Sequence, residues 1–236
     1  MKVTLVSKPM NAVQSICLAI AIMKEKDPLE YIRHSTVTQQ QLMIEEIMKT
    51  RLRGALEFAS FEFLIEGCSR TFTHQLVRHR SFHFSQQSMR FFDARESEFY
   101  NPLGTDENTN LVKMSQLQLA AEDVIAAYAD LIDTGIPVQD ARSILPQNIT
   151  TKIMFGCNFR GLLDMAEVRM CKQTQGEFRS LMSQIKSILE EEEPFLASKL
   201  VPACERSGRC EFKSIYDRPC NHYQEVKDAS KEKSAE

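Results

Sequence analysis

Apolar and polar positions along the chain fall into stretches of two different periods, which predicts a mixture of strands and helices. Lys2 to Val6 reads as an opening strand, and Ala12 to Lys24 as a helix ended by Pro28. Gln39 to Lys49 reads as a second helix, with Leu42, Ile44, Ile47 and Met48 on its apolar side. Leu56 to Ile65 is rich in aromatics (Phe58, Phe61, Phe63) and predicts a strand that ends at Gly67. Gln116 to Ile132 places Leu117, Ala121, Val124, Ile125, Tyr128, Leu131 and Ile132 at helical spacing. Gly135 and Pro137 then stop that helix and start another, which reaches Leu145-Pro146. Lys152 to Cys157 predicts a short strand. Glu177 to Glu190 is the clearest amphipathic helix, with Phe178, Leu181, Met182, Ile185, Ile188 and Leu189 in phase.

Helices around a modest central sheet predict an α+β fold rather than a regular βαβ chain. No repeat or linker interrupts it, so one domain is expected over residues 1–226, with a Cys-rich C-terminal extension at 202–222. The longest loop-like break is Asn101 to Asn110, and the charged stretch 227–236 is expected to be a disordered tail.

Composition narrows the class. The 236 residues are 43% hydrophobic and 26% charged, close to the average for a globular protein. Lys and Arg total 29 against 32 acidic residues, a net charge of -3, which argues against a globally basic nucleic-acid binder. The opening MKVTLVSKPMNA has no signal-peptide pattern, and the most apolar window, Ile16 to Met23, is too short to span a bilayer. With seven Cys and no export signal, a cytoplasmic protein with reduced thiols is expected.

The candidate chemistry concentrates in Ser69 to Phe92, which holds four Arg, three of the five His and no acidic residue. A solvated helix face normally mixes signs, so these guanidinium groups need anions from elsewhere. Arg forks suit phosphate, because they present paired donors at fixed geometry. Ser85, Gln86, Gln87 and Ser88 add neutral donors able to read a base or a ribose. A surface helix paired to carboxylates from distant segments is the plainer alternative. No Gly-x-Gly-x-x-Gly or Walker sequence is present.

The order of the residues carries more information than their composition. Arg78-His79-Arg80, seven residues and then Ser88 and Arg90 resembles the signature of the flavin-dependent thymidylate synthases. Ser69-Arg70 and His74-Gln75-Leu76-Val77 precede it, as is common in that family. Ala141-Arg142-Ser143-Ile144-Leu145-Pro146, Asn158-Phe159-Arg160 with Arg169, and Gln175-x-Glu177 resemble three further family elements. The resemblance spans about Glu57 to Leu189.

That resemblance implies FAD held by Arg78, His79, Arg80, Asn158 and Arg160, with Gln86 and Asp164 beside it. It implies dUMP held by Gln75, Arg78, Gln86, Gln87, Ser88, Met89, Arg90, Arg142 and Arg169. Arg90 and Arg142 are then the expected partners of the phosphate. Arg169 is the expected catalytic residue, a fixed charge at the uracil edge. NADPH and methylenetetrahydrofolate are implied as co-substrates, and a homotetramer with sites at subunit interfaces as the assembly. The family uses no Cys nucleophile, so Cys157 and Cys171 are read as small apolar residues.

The chain departs from the family pattern in places. Where the family shows His-x-Ser/Thr-x-Leu-Glu-His, this chain reads Leu52-Arg53-Gly54-Ala55-Leu56-Glu57-Phe58. His83 replaces a common Ser, Asp164 an Asn or His, and Gln173 a His. At Asp164 a carboxylate could accept from flavin or pair with Arg160. These changes leave open a related C5 modification (hydroxymethylation, or dCMP as substrate) and a non-catalytic flavin or nucleotide binder. A single-strand nucleic-acid module stacking bases on Phe82, Phe84, Phe91 and Phe92 is a further alternative. Separately, Cys204, Cys210, Cys220 and His222 fall within 19 positions, with donors suited to zinc but without the usual close Cys pair.

Overall fold

Strand β1, Lys2–Ser7, opens the chain and is followed by helices α1 (Ala12–Ala21), α2 (Pro28–His34) and α3 (Val37–Met48). A 3-10 turn at Arg53–Phe58 leads into β2 (Ser60–Ser69), α4 (Arg70–Leu76) and β3 (His83–Gln86). Then come α5 (Leu111–Asp133), α6 (Val138–Ala141), a 3-10 turn at Arg142–Ile144 and β4 (Thr150–Asn158). Helices α7 (Phe159–Arg169), α8 (Gly176–Glu192), α9 (Pro194–Ala197) and α10 (Ala203–Ser207) complete the order. The computed structural model describes residues 1–95, 97–102, 111–210, 220–223 and 225–226. Residues 103–110 of the expected loop, 211–219 of the Cys-rich extension and the expected tail 227–236 lie outside them.

The strands form one antiparallel sheet in the order β1-β2-β4-β3, and the fold is α+β. Phe61, Phe63 and Ile65 of β2 point alternately into the core, as a period of two requires. The strand does not end at Gly67. That residue adopts φ +68, a region a side chain rarely tolerates, and β2 continues through it with a changed pleat that buries both Cys68 and Ser69. The start of β2 also differs from expectation, because Leu52 to Phe58 is not extended. Phe58 lies three residues before Phe61, out of phase with the strand, and it is 66% exposed.

The chain divides into two compact units. The first comprises Met1–Thr4 and Phe63–Phe155, and the second Leu5–Glu62 and Gly156–Glu236, so the division falls within β1, β2 and β4. In the first unit, Tyr128 of α5 packs in a buried cluster with Met89, Ala94, Ala141 and Ile149. An aromatic group sits beside the sheet: Phe63 and Phe82 stack on Phe155 at 5.4 and 5.9 Å. In the second unit, α1 packs against α2, α3 and the 3-10 turn, and α7 packs against that turn and α8. Ile16, Ile44, Leu56, Phe159, Phe178 and Ile185 are fully buried there.

Local capping accounts for several boundaries. Helix α3 begins with a capping box in which Thr36 Oγ1 accepts from Gln39 N and Gln39 Oε1 accepts from Thr36 N. Pro28 does not terminate α1, which ends at Ala21. It occupies the first turn of α2, where its missing N–H costs nothing, and the Asp27 carboxylate caps that turn by accepting from Glu30 N. Among the described residues no helix is long and apolar enough to cross a membrane.

Candidate functional site

An open cavity of about 720 Å³ lies in the first unit, with Arg70 and His74 of α4 on its lining. Gln139, Arg142 and Ser143, from α6 and the turn after it, also line it, as do Met89 and Gln147. Backbone pairing explains how residues so distant in sequence meet. Ser69 caps α4 by accepting from Phe72 N at 3.0 Å. Arg70 N then donates to Ile149 O at 3.1 Å, and Thr71 N donates to Gln147 O at 3.0 Å. The start of α4 is thereby stitched to the segment that follows the Ala141 to Pro146 element.

The electrostatics of this cavity follow from its two guanidinium groups. Burial, and then the charge of Arg142, push the half-buried Arg70 below its ordinary value. Arg142 Nε donates to Gln139 O at 2.9 Å, which fixes the stem of the side chain without neutralising it. Neither arginine has a salt-bridge partner among the described residues, although Asp140 is also on the lining. Two like charges facing one cavity favour an anion between them.

Of the sequence-predicted substrate residues, Met89 and Arg142 line this cavity directly. Met89 does so from within the buried cluster, so it supports the wall. Arg90 is one step removed: its Nη2 is 3.5 Å from Gln139 Oε1, and its guanidinium lies over the Phe91 ring at 5.7 Å. Gln86 Nε2 donates to Thr73 Oγ1 at 3.0 Å, and Gln87 N donates to Lys152 O at 3.0 Å, so β3 and the loop after it are tied to α4 and β4. Ser88 Oγ accepts from Arg90 N at 3.3 Å. Gln75, Gln86, Gln87 and Ser88 are not on the cavity lining. The Arg78-His79-Arg80 run follows α4. The His79 ring stacks on Phe82 at 5.2 Å, whereas the Arg78 and Arg80 side chains are exposed and make no hydrogen bond or ion pair among the described residues.

The remaining candidates belong to the second unit. Asn158 caps α7, its Oδ1 accepting from Gly161 N at 2.9 Å. Arg160 pairs with Glu57 at 2.7 Å, not with Asp164, which is exposed. The pairing of Arg160 with Asp164 considered from sequence is therefore replaced: the 3-10 turn brings Glu57 to α7, and both groups remain half exposed. Arg169, in the last turn of α7, holds its guanidinium carbon over the fully buried Phe178 ring, 4.4 Å from its centroid. Leu52 is 70% exposed, and a Cβ at Gly54 would meet nothing within 4 Å. Burial pushes the Cys157 thiol up to about 12, which keeps it protonated and unreactive. Among the described residues no three His, Cys, Asp or Glu side chains could hold a metal ion, and His222 Nε2 is taken by Glu205 Oε1 at 2.7 Å.

Arg70, His74, Gln139, Ser143 and Gln147 were absent from the sequence-derived site. Arg70 and His74 lie within the acid-free window and could have been drawn from it. Gln139 and Gln147 flank the Ala-Arg-x-x-Leu-Pro element and carry no signal of their own.

An open cavity of this size within an α+β fold, lined by two guanidinium groups that have no salt-bridge partner among the described residues, is suited to a small anionic ligand. The family whose model matches residues 4–195 is described as thymidylate synthase complementing protein, and the chain belongs to that family. It is 35% identical over 180 residues to a flavin-dependent thymidylate synthase of Nitratidesulfovibrio vulgaris, covering 73% of each chain. A second relative of that name, from Geobacter sulfurreducens, is 29% identical over 211 residues, 89% of this chain and 90% of the relative. A third, from Pyrococcus furiosus, is 34% identical over 173 residues, 70% of each chain.

Proposed function

We propose that this protein methylates dUMP at C5 to give dTMP, with methylenetetrahydrofolate as one-carbon donor and reduced FAD as hydride source. The observation that carries the reading is the pair Arg70 and Arg142 on one cavity with no salt-bridge partner among the described residues. A nucleotide phosphate, close to a dianion at neutral pH, satisfies both forks at once. Arg90, approaching through Gln139, adds a weaker third charge at the rim. Gln75, Gln86, Gln87 and Ser88 are the neutral donors assigned to the rest of the nucleotide.

The residues assigned to the flavin fit a cofactor that carries a pyrophosphate. Exposed Arg78 and Arg80 make no ion pair among the described residues, so their charge is available to it. Asn158 spends only its carbonyl on the helix cap, and Arg160, with Asp164 one turn on, offers a fork whose present partner Glu57 is half exposed. Gln86 and His79 complete the assigned set. When bound, the flavin supplies the redox chemistry that the side chains lack. NADPH is the proposed reductant.

Arg169 acts on the pyrimidine. Its charge, held in one orientation by the Phe178 face, stabilises negative charge that develops on the ring as C5 becomes nucleophilic. None of the proposed steps uses a Cys nucleophile. A homotetramer in the cytoplasm is the proposed assembly and location.

Incubation with dUMP, NADPH and labelled methylenetetrahydrofolate tests the reading. The expected product is labelled dTMP, with flavin absorbance that bleaches in the presence of NADPH. A hydroxymethylated product, turnover of dCMP instead of dUMP, or flavin binding without product would overturn it.

A further inference from the structure

The seven cysteines behave as two populations. Cys17, Cys68 and Cys157 are buried, and burial pushes Cys17 to about 11 and Cys157 to about 12. Such thiols stay protonated at neutral pH and react slowly. Cys171, Cys204, Cys210 and Cys220 are half-buried and carry no disulfide.

Two ion pairs draw the segments that carry three of these half-buried thiols toward α10. Arg206 of α10 pairs with Glu167 of α7 at 2.7 Å, which draws α10 against the end of α7, and Cys171 lies just past that end. Cys204 is in α10 itself. The next residue, Glu205, holds His222 Nε2 at 2.7 Å, with Glu225 at 3.5 Å from the other ring nitrogen. Because Cys220 is two positions before His222, that ion pair brings Cys220 back to the helix bearing Cys204. Their proximity has an electrostatic signature: after burial, Cys220 raises the Cys204 thiol more than the adjacent Glu205 carboxylate does, and Cys171 contributes less than either.

We propose that Cys204 and Cys220 are a modification site, a dithiol pair that closes to a disulfide when a hydroperoxide reaches it. One sulfur attacks the peroxide O–O bond and becomes a sulfenic acid, releasing water when hydrogen peroxide is the oxidant. The second thiol attacks that sulfur, the S–S bond forms, the S–OH bond breaks, and a second water leaves. One hydrogen peroxide is reduced and two thiols are oxidised. The bond would tie the segment from Cys220 onward to α10, independently of the pyrimidine chemistry.

The test uses the full reduced chain exposed to hydrogen peroxide and then denatured for thiol titration. The expected result is a loss of two from the seven thiols, with a non-reduced peptide map that joins the Cys204 peptide to the Cys220 peptide. Cys220→Ser and Cys204→Ser should each abolish that loss, and Cys171→Ser should leave it unchanged. Retention of all seven thiols, a link to Cys171 or Cys210, or a link between two chains would overturn the proposal. The peptide map of the unmutated protein decides the matter even if a variant fails to fold.

Discussion

The arginines of the two units differ in what already surrounds them. On the cavity of the first unit, Arg70 and Arg142 share one lining without a salt-bridge partner among the described residues, and Arg70 is pushed down by burial and by its neighbour. In the second unit, Arg160 is paired with Glu57, and Arg169 lies on the Phe178 ring. A guanidinium without an anion is costly to desolvate, so the first arrangement is suited to gain an anion from outside. A guanidinium already braced is suited to hold one direction. The contrast fits the proposed roles, in which Arg70 and Arg142 bind the phosphate and Arg169 is aimed at the ring.

Substitutions can break that contrast, and the largest effect is expected at Arg169. Arg169→Ala should lower kcat by about a hundredfold while dUMP affinity changes much less, because in the proposed function its work belongs to charge that develops during reaction. Arg169→Lys should rescue poorly, since an ammonium lacks the planar guanidinium fork. Steady-state kinetics on both variants checks this, and near-parent kcat in Arg169→Ala would remove the assignment.

Arg70→Ala and Arg142→Ala should each weaken dUMP binding by about 2 kcal/mol, with the double variant losing less than the sum. Calorimetry measures this directly. Thermal stability without ligand should hold or rise slightly in Arg70→Ala, because a like-charge neighbour is removed. Arg90→Ala should cost only about 1 kcal/mol, because Arg90 reaches the cavity through Gln139 at 3.5 Å. An Arg90 effect larger than that of Arg70 would move the phosphate to the other side of Gln139.

Phe178→Leu should reduce kcat by about tenfold, from loss of a cation–π contact worth on the order of 1 kcal/mol. Phe178→Tyr should retain more activity than Phe178→Leu if the ring face orients Arg169. Equal kcat in the two variants would reduce Phe178 to a packing residue.

The smallest expected effect concerns Leu52 and Gly54. Restoring His and Ser there should raise FAD retention by about 1 kcal/mol per new contact, read as flavin content after purification. Leu52 is exposed and Gly54 faces open space, so the double variant should fold as the parent does. Unchanged flavin content with an intact circular dichroism spectrum would mean that this turn serves another ligand.

Much of the fold was legible from short-range pattern. Helix α8 carries its apolar stripe at a spacing of three and four, and α3 carries both members of its capping box within one turn. The acid-free window and the Arg-His-Arg order also gave the expectation of an anionic ligand, which the predictions above test. Other features escaped because their cause lies elsewhere in the chain. Arg70 lies in the acid-free window, but that it shares a cavity with Arg142 follows from the pairing of Arg70 and Thr71 with Ile149 and Gln147. Phe58 resembles a strand residue, yet its offset from Phe61 leaves it outside, in a turn whose Glu57 meets Arg160. Period and capping depend on residues within a turn or two of each other, so the sequence by itself determined them. The neighbours of each charge depend on long-range backbone pairing, so only the tertiary structure decided which arginines meet a carboxylate or an aromatic ring and which lie on the cavity lining without a salt-bridge partner among the described residues.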